Sequence, residues 1–208
     1  MNKLFVAVLA MLLAACTSIP PAKHEQARAF AQDQRDTGST CRQPDGCGLD
    51  TPFPALERLP AEVPLTDVIL LDQGQDALLM RLHMIESARR SIDMQVYIFD
   101  LDESGVLVMD ALVRAARRGV KVRLLLDQLY GLNRPGMQAR LAALHENFEL
   151  KLYSPMFNQA KITDAEFFAG ILFRFQRLNQ RMHTKLLLVD GHSAVIGGRN
   201  IQDRYFDW

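Results

Sequence analysis

Cysteine, net charge and long apolar runs are all scarce in this chain, and each scarcity removes a class of protein. There are three cysteines in 208 residues, and Cys41 and Cys47 have no nearby His or Cys to complete a set of four ligands. The sequence therefore offers no metal site and implies no cofactor. Basic and acidic residues number 24 each, so the formal charge is zero, which argues against a protein built to coat nucleic acid. The apolar run at the N-terminus, the twelve residues Leu4 to Ala15 after Lys3, is shorter than the ~20 needed to span a bilayer. Its length fits the apolar region of a signal peptide. There is no internal repeat and no low-complexity tract, which excludes a solenoid.

The apolar run ends on Cys16. Leu13-Ala-Ala-Cys16 resembles a bacterial lipobox, in which the cysteine becomes the lipidated N-terminus of the mature protein; ordinary signal cleavage is the alternative. Thr17 stands where inner-membrane lipoproteins often carry Asp. The resemblance thus implies a periplasm-facing anchor in the cell envelope, with the outer membrane favoured. The expected organisation is a signal peptide over 1–15, a lipidated tether over 16–64 and a catalytic module over 65–208. Seven of the nine prolines fall between Thr17 and Pro64, so that segment reads as extended. In an oxidising compartment Cys41 and Cys47 could close a small disulfide loop.

Phosphate chemistry concentrates in the stretch from Arg181 to Asn200. On a strand His183 and Lys185 point the same way, so they can share a ligand. An imidazole nitrogen can attack phosphorus, and the ammonium can hold the non-bridging oxygens as their charge rises. Asp190-Gly191 favours a tight turn, after which Ala194 to Ile196 runs back along the first strand. Gly197-Gly198 lets the backbone approach a ligand closely and return Asn200 towards His183. Asp190 falls on the face opposite His183, where a carboxylate would not repel a phosphate diester, and reads as structural.

HxKxxxxD followed by Gly-Gly and Asn resembles the HKD signature of the phospholipase D superfamily, and the tail from Gly197 to Phe206 resembles its bacterial cardiolipin synthase-like branch. The resemblance implies a phosphohistidine at His183, phosphate held by Lys185 and Asn200, no metal, and substrate contacts from Gly197, Gly198 and Arg199. Between Arg174 and Arg204 the basic residues outnumber the acidic ones, Asp190 and Asp203, which suits an anionic headgroup or a solvated face.

Upstream, helical periodicity over Gln75 to Arg90 precedes a strand, Ser91 to Phe99. That strand would set Ile92, Met94, Val96 and Ile98 on one face, with Asp93, Gln95, Tyr97 and Phe99 opposite. A helix capped by Ser104 and ended by Gly119 leads to a strand Lys121 to Asp127. A helix near Met137 to His145 then leads to a strand Phe148 to Tyr153. Alternating strands and helices predict an α/β fold with a mostly parallel sheet, in agreement with the α-β-α sandwich the resemblance implies. The run Phe167 to Phe173 is either a lipid-facing helix or a core helix beneath the sheet.

Phosphodiester exchange of this type uses two histidines, and none of His24, His83, His145 and His192 is followed two residues later by Lys. The expectation is thus the first half of a longer enzyme, with the second HKD half in the same chain or in a two-fold homodimer. Two functions of different class follow: a phospholipase D-type phosphatidyltransferase or hydrolase, or a membrane-anchored protein that binds anionic lipid or a partner without turnover.

Overall fold

The computed structural model describes residues 21–42, 47–52, 67–132 and 135–207. The signal segment, Cys16 and much of the Pro-rich stretch lie outside the described residues.

Five strands form one sheet: β1 (Ser91–Val96), β2 (Lys121–Asp127), β3 (Phe148–Tyr153), β4 (Leu186–Val189) and β5 (Ser193–Ile196), in the order β3-β2-β1-β4-β5. β1, β2 and β3 pair in parallel, β4 is antiparallel to β1, and β5 is antiparallel to β4. Four strands therefore point one way and β4 alone is reversed. β4 enters reversed from the segment that follows β3, and the Asp190-Gly191 turn, where both residues have positive φ, 53° and 79°, returns β5 to the common direction. The loop is three residues long, Asp190 to His192, because Val189 pairs with Ser193, and Gly191 adopts its conformation without a Cβ penalty.

The parallel strands are joined through α3 (Glu103–Arg117) and α4 (Pro135–Ala142), and α2 (Gly74–Ser87) precedes β1. A first helix, α1 (Pro21–Asp33), lies further upstream. Every second residue of β1 is buried, and Ile92, Met94 and Val96 join Val122, Leu124, Leu126 and Leu187 in one core with Ile85 of α2 and Val108 and Leu112 of α3. The result is an α/β fold with a mostly parallel sheet, as the strand and helix alternation predicts.

Three local readings are revised. β1 ends at Val96, and Phe99 does not share a face with Asp93 and Gln95: it is 1% exposed in the core. The phase slips because the chain beyond β1 forms bridges from Phe99 to Gly131 and Ile201. The cap of α3 is Asp102, whose side chain accepts from Gly105 N, while Ser104 lies inside the helix with its hydroxyl donating to Asp203 Oδ1 at 2.6 Å. Gly119, at φ 103°, ends that helix as expected.

The segment read as an extended tether carries structure within its described part. Besides α1, Arg35 Nε donates to Ala142 O at 2.9 Å, Thr40 N to Arg117 O at 2.8 Å, and Leu49 N to Glu86 O at 3.0 Å. Cys41 and Cys47 are joined in a disulfide with a Cα–Cα distance of 5.9 Å. Closing so short a loop stabilises the folded chain by roughly 2 kcal/mol in the chain-entropy account. Thiol alkylation of the protein with and without reductant, read by intact mass, is expected to add two more labels after reduction than before it. Equal labelling in both samples would mean that the bond is absent.

Candidate active site at the C-terminal edge of the sheet

The site forms where β1 and β2 end, the edge at which open α/β sheets place their ligands. His183 and Lys185 lie on the approach to β4, and Asn200 follows β5. Tyr97, the residue after β1, joins them. Its ring meets the His183 imidazole edge-on at 5.1 Å between centroids, and Lys185 Nζ lies 5.5 Å from the same ring. His183 is exposed while Lys185 is only 5% exposed, so the imidazole can meet a substrate and the ammonium backs it from within.

Lys185 Nζ donates to the His183 carbonyl at 2.8 Å, and no carboxylate pairs with it among the described residues. Burial pushes its pKa down, partly opposed by Tyr205. A desolvated ammonium without a counter-ion attracts an incoming anion strongly. Burial, then the neighbouring Tyr130 phenol, pushes the Tyr97 hydroxyl up to about 12, so it stays protonated at neutral pH. The Tyr130 ring packs on Tyr97 at a tilt of 48°, with centroids 4.9 Å apart, and widens the aromatic wall.

Asn200 is 2% exposed, and its Oδ1 accepts from Ile98 N at 3.1 Å. This fixes which way the amide faces and leaves its NH2 as the donor for a ligand. At Gly197 and Gly198 an added Cβ would meet nothing within 4 Å, and neither residue has positive φ. The fold itself thus does not require glycine there.

Arg199 and Asp190 have structural tasks. Arg199 was expected at the substrate, yet Nη1 donates to Tyr205 O at 2.7 Å and Nη2 to Asp72 O at 2.5 Å. Its guanidinium is occupied in holding the Gly-Gly-Arg-Asn turn to the segment before α2. Asp190 accepts from three backbone amides, Arg89 N at 2.9 Å on Oδ2, and Arg90 N at 2.7 Å and Ser91 N at 2.8 Å on Oδ1. The carboxylate ties the β4–β5 turn to the start of β1, the opposite end of that strand from Tyr97.

A buried ion pair borders the site. Asp127, at the end of β2, is fully buried and accepts from Leu129 N at 2.9 Å and from Arg181 Nη1 at 3.4 Å. Arg181 also donates to Ser154 Oγ at 3.3 Å, so the segment just before His183 is moored to the ends of β2 and β3. Sequence reasoning passed over Tyr97, Tyr130 and Asp127. The available signal was Asp127 closing an apolar strand and Tyr97 standing at the carboxyl end of another.

Residues 82–208, more than half of the chain, match the family described as cardiolipin synthase, PLD-like domain. An uncharacterised Helicobacter pylori protein is 43% identical over 139 residues, covering 67% of this chain and 27% of its own length. Cardiolipin synthase C of Escherichia coli K12 is 41% identical over 138 residues, covering 65% of this chain and 28% of its own. The chain thus spans about a quarter of the length of these relatives. Among solved structures, a phospholipase D family member from Salmonella typhimurium aligns with a TM-score of 0.43 at 22% identity, over 64% of this chain and 70% of that one. With its match over residues 82–208, the chain belongs to the cardiolipin synthase-type, phospholipase D-like domain family.

Proposed function

We propose that the chain is one half of a phospholipase D-type phosphodiesterase or transphosphatidylase acting on phospholipids, cardiolipin synthase-like in its chemistry. The observation that carries this reading is the joint bracing of His183 and Lys185 by Tyr97, with the Asn200 amide fixed by Ile98 N–H and open space at Gly197 and Gly198. An imidazole nitrogen of His183 attacks phosphorus, the bond to the departing alcohol breaks, and Lys185 and Asn200 hold the non-bridging oxygens. The departing alkoxide takes its proton from an acid that a second HKD half supplies. Water or a second alcohol then displaces the histidine.

The second half sits in the same polypeptide or in a two-fold partner. Turnover of labelled phosphatidylglycerol with EDTA present, alongside molar mass from light scattering, tests the reading. Activity is expected from the paired form and almost none from a monomer of these 208 residues, because general acid help is worth roughly 10²–10⁴-fold. Strong turnover by a proven monomer would refute the two-half mechanism. The second reading, a lipid- or partner-binding protein without turnover, is favoured by the single HxK in this sequence. It predicts lipid binding with no exchange in either form.

Attachment to the envelope is proposed through Cys16, on the strength of the lipobox-like Leu13-Ala-Ala-Cys16. Several acyl chains on one cysteine anchor stably where a single chain does not. Cys16→Ser is expected to move the protein out of the membrane fraction of cells, and retention there at the wild-type level would remove the lipoprotein assignment.

A further inference from the structure

Between β3 and β4 the chain forms α5 (Asp164–Phe173) and the short α6 (Phe175–Asn179). α5 is well defined: Thr163 and Glu166 make a reciprocal capping box at its start, and Gly170 packs on the Met156 and Leu178 side chains. Of its residues only Gly170 is buried. Phe168 is 64% exposed, Leu172 76%, Phe173 78%, and Phe175, just beyond, 58%. Phe167, Phe168, Ile171 and Leu172 recur at helical spacing, so they form one apolar face of α5, and Phe175 opens α6 beyond the break at Arg174. A soluble surface rarely carries such a patch without something that covers it.

The charges around the face select the cover. Arg174 and Arg177, both exposed, lie at its C-terminal end, and His183 follows six residues after Arg177. Arg177 Nη2 donates to Pro155 O at 3.3 Å, and the Arg174 guanidinium sits 5.3 Å from the Phe157 ring, so both are held at the rim of the face. The acidic residues of the helix, Asp164 and Glu166, are at the other end, and Glu166 is held in the capping box. Ten helical residues measure about 15 Å, half of a ~30 Å hydrocarbon core. Such a helix lies in the interface, with its rings among the acyl chains and its arginines at the headgroups.

We propose that the exposed face of α5, with Arg174 and Arg177, is a membrane-docking surface that seats on a bilayer bearing anionic phospholipid and brings its headgroups to the His183 edge of the sheet. The surface is read from exposure and charge; only its service to catalysis rests on the phospholipid reading above.

The test uses the full chain carrying Trp208→Phe, with a reporter tryptophan placed at Leu172 or, independently, at Phe168, and a control tryptophan at Leu107 on α3. Vesicles contain brominated phosphatidylglycerol and phosphatidylethanolamine, or brominated phosphatidylcholine alone. The expected result is blue-shifted, strongly quenched emission from Leu172→Trp and Phe168→Trp on the anionic vesicles and none from Leu107→Trp. Arg174→Gln with Arg177→Gln should weaken binding by the face roughly fivefold per charge, and Arg174→Lys with Arg177→Lys should restore it. Absence of quenching at both reporter positions would overturn the proposal. So would emission already blue-shifted without vesicles, which means a protein surface covers the face, and so would equal quenching on phosphatidylcholine. The same reporters in a His183→Ala chain should still be quenched. Quenching in a paired, His183-intact form that shows no turnover thus counts against the catalytic reading alone, and turnover by that form without quenching against docking alone.

Discussion

His183→Ala is expected to abolish phosphatidyl exchange in the assembled two-half form while leaving the fold intact. His183 is exposed, and its ring touches the protein through one edge contact to Tyr97, so truncation opens no cavity in the core. On the proposed mechanism the reaction loses its nucleophile outright. Lys185→Ala and Asn200→Ala should each lower turnover by about 10²–10³-fold, the usual effect of removing one fixed donor from a site of developing negative charge. Asn200→Asp separates the two ends of that side chain. A carboxylate can still accept from Ile98 N–H, but it replaces the amide donor with a negative oxygen, so turnover should fall at least as far as in Asn200→Ala. The measurement is release of labelled headgroup in EDTA, with trapping of phosphohistidine in brief acid-quenched reactions. Phosphoenzyme that persists in His183→Ala would assign the nucleophile elsewhere.

The hairpin that carries Asp190 was legible in the sequence because it follows from short-range rules. Asp190-Gly191 marks the turn between two short apolar strands, whereas His183 and Lys185 precede β4 and come together at the Tyr97 ring outside any strand. Long-range partners were not legible. Arg199 reads as a cation near a phosphate until the fold sets the Tyr205 and Asp72 carbonyls against it. Backbone acceptors carry no signature in the residue types. Phe99 reads as one more member of an alternating strand, yet two bridges from outside β1 turn it into the core. The apolar helix α5 failed in another way. Hydrophobicity tells that a face seeks cover, not what covers it, and within this chain nothing does so for Phe168 or Leu172 among the described residues.

Asp190→Ala is expected to destabilise the domain more than any change at the reacting residues, although Asp190 is only half-buried. One carboxylate accepts from three successive amides, Arg89, Arg90 and Ser91, and its own backbone N–H donates to Ser91 O at 2.8 Å. These bonds join the end of α2, the start of β1 and the turn between β4 and β5. Alanine leaves three amides without that acceptor where the chain must enter the sheet in register with β4. Bonds to a charged acceptor contribute roughly 1.5–3 kcal/mol each, and water reaching a half-buried site recovers part of that loss, so about 3–4 kcal/mol is expected in total. Asn is a graded control, because its single carbonyl oxygen can still receive the Arg90 and Ser91 amides while the Arg89 amide meets an NH2 group. Urea unfolding should place Asp190→Asn between wild type and Asp190→Ala. A midpoint for Asp190→Ala equal to wild type would show that the turn holds without its carboxylate.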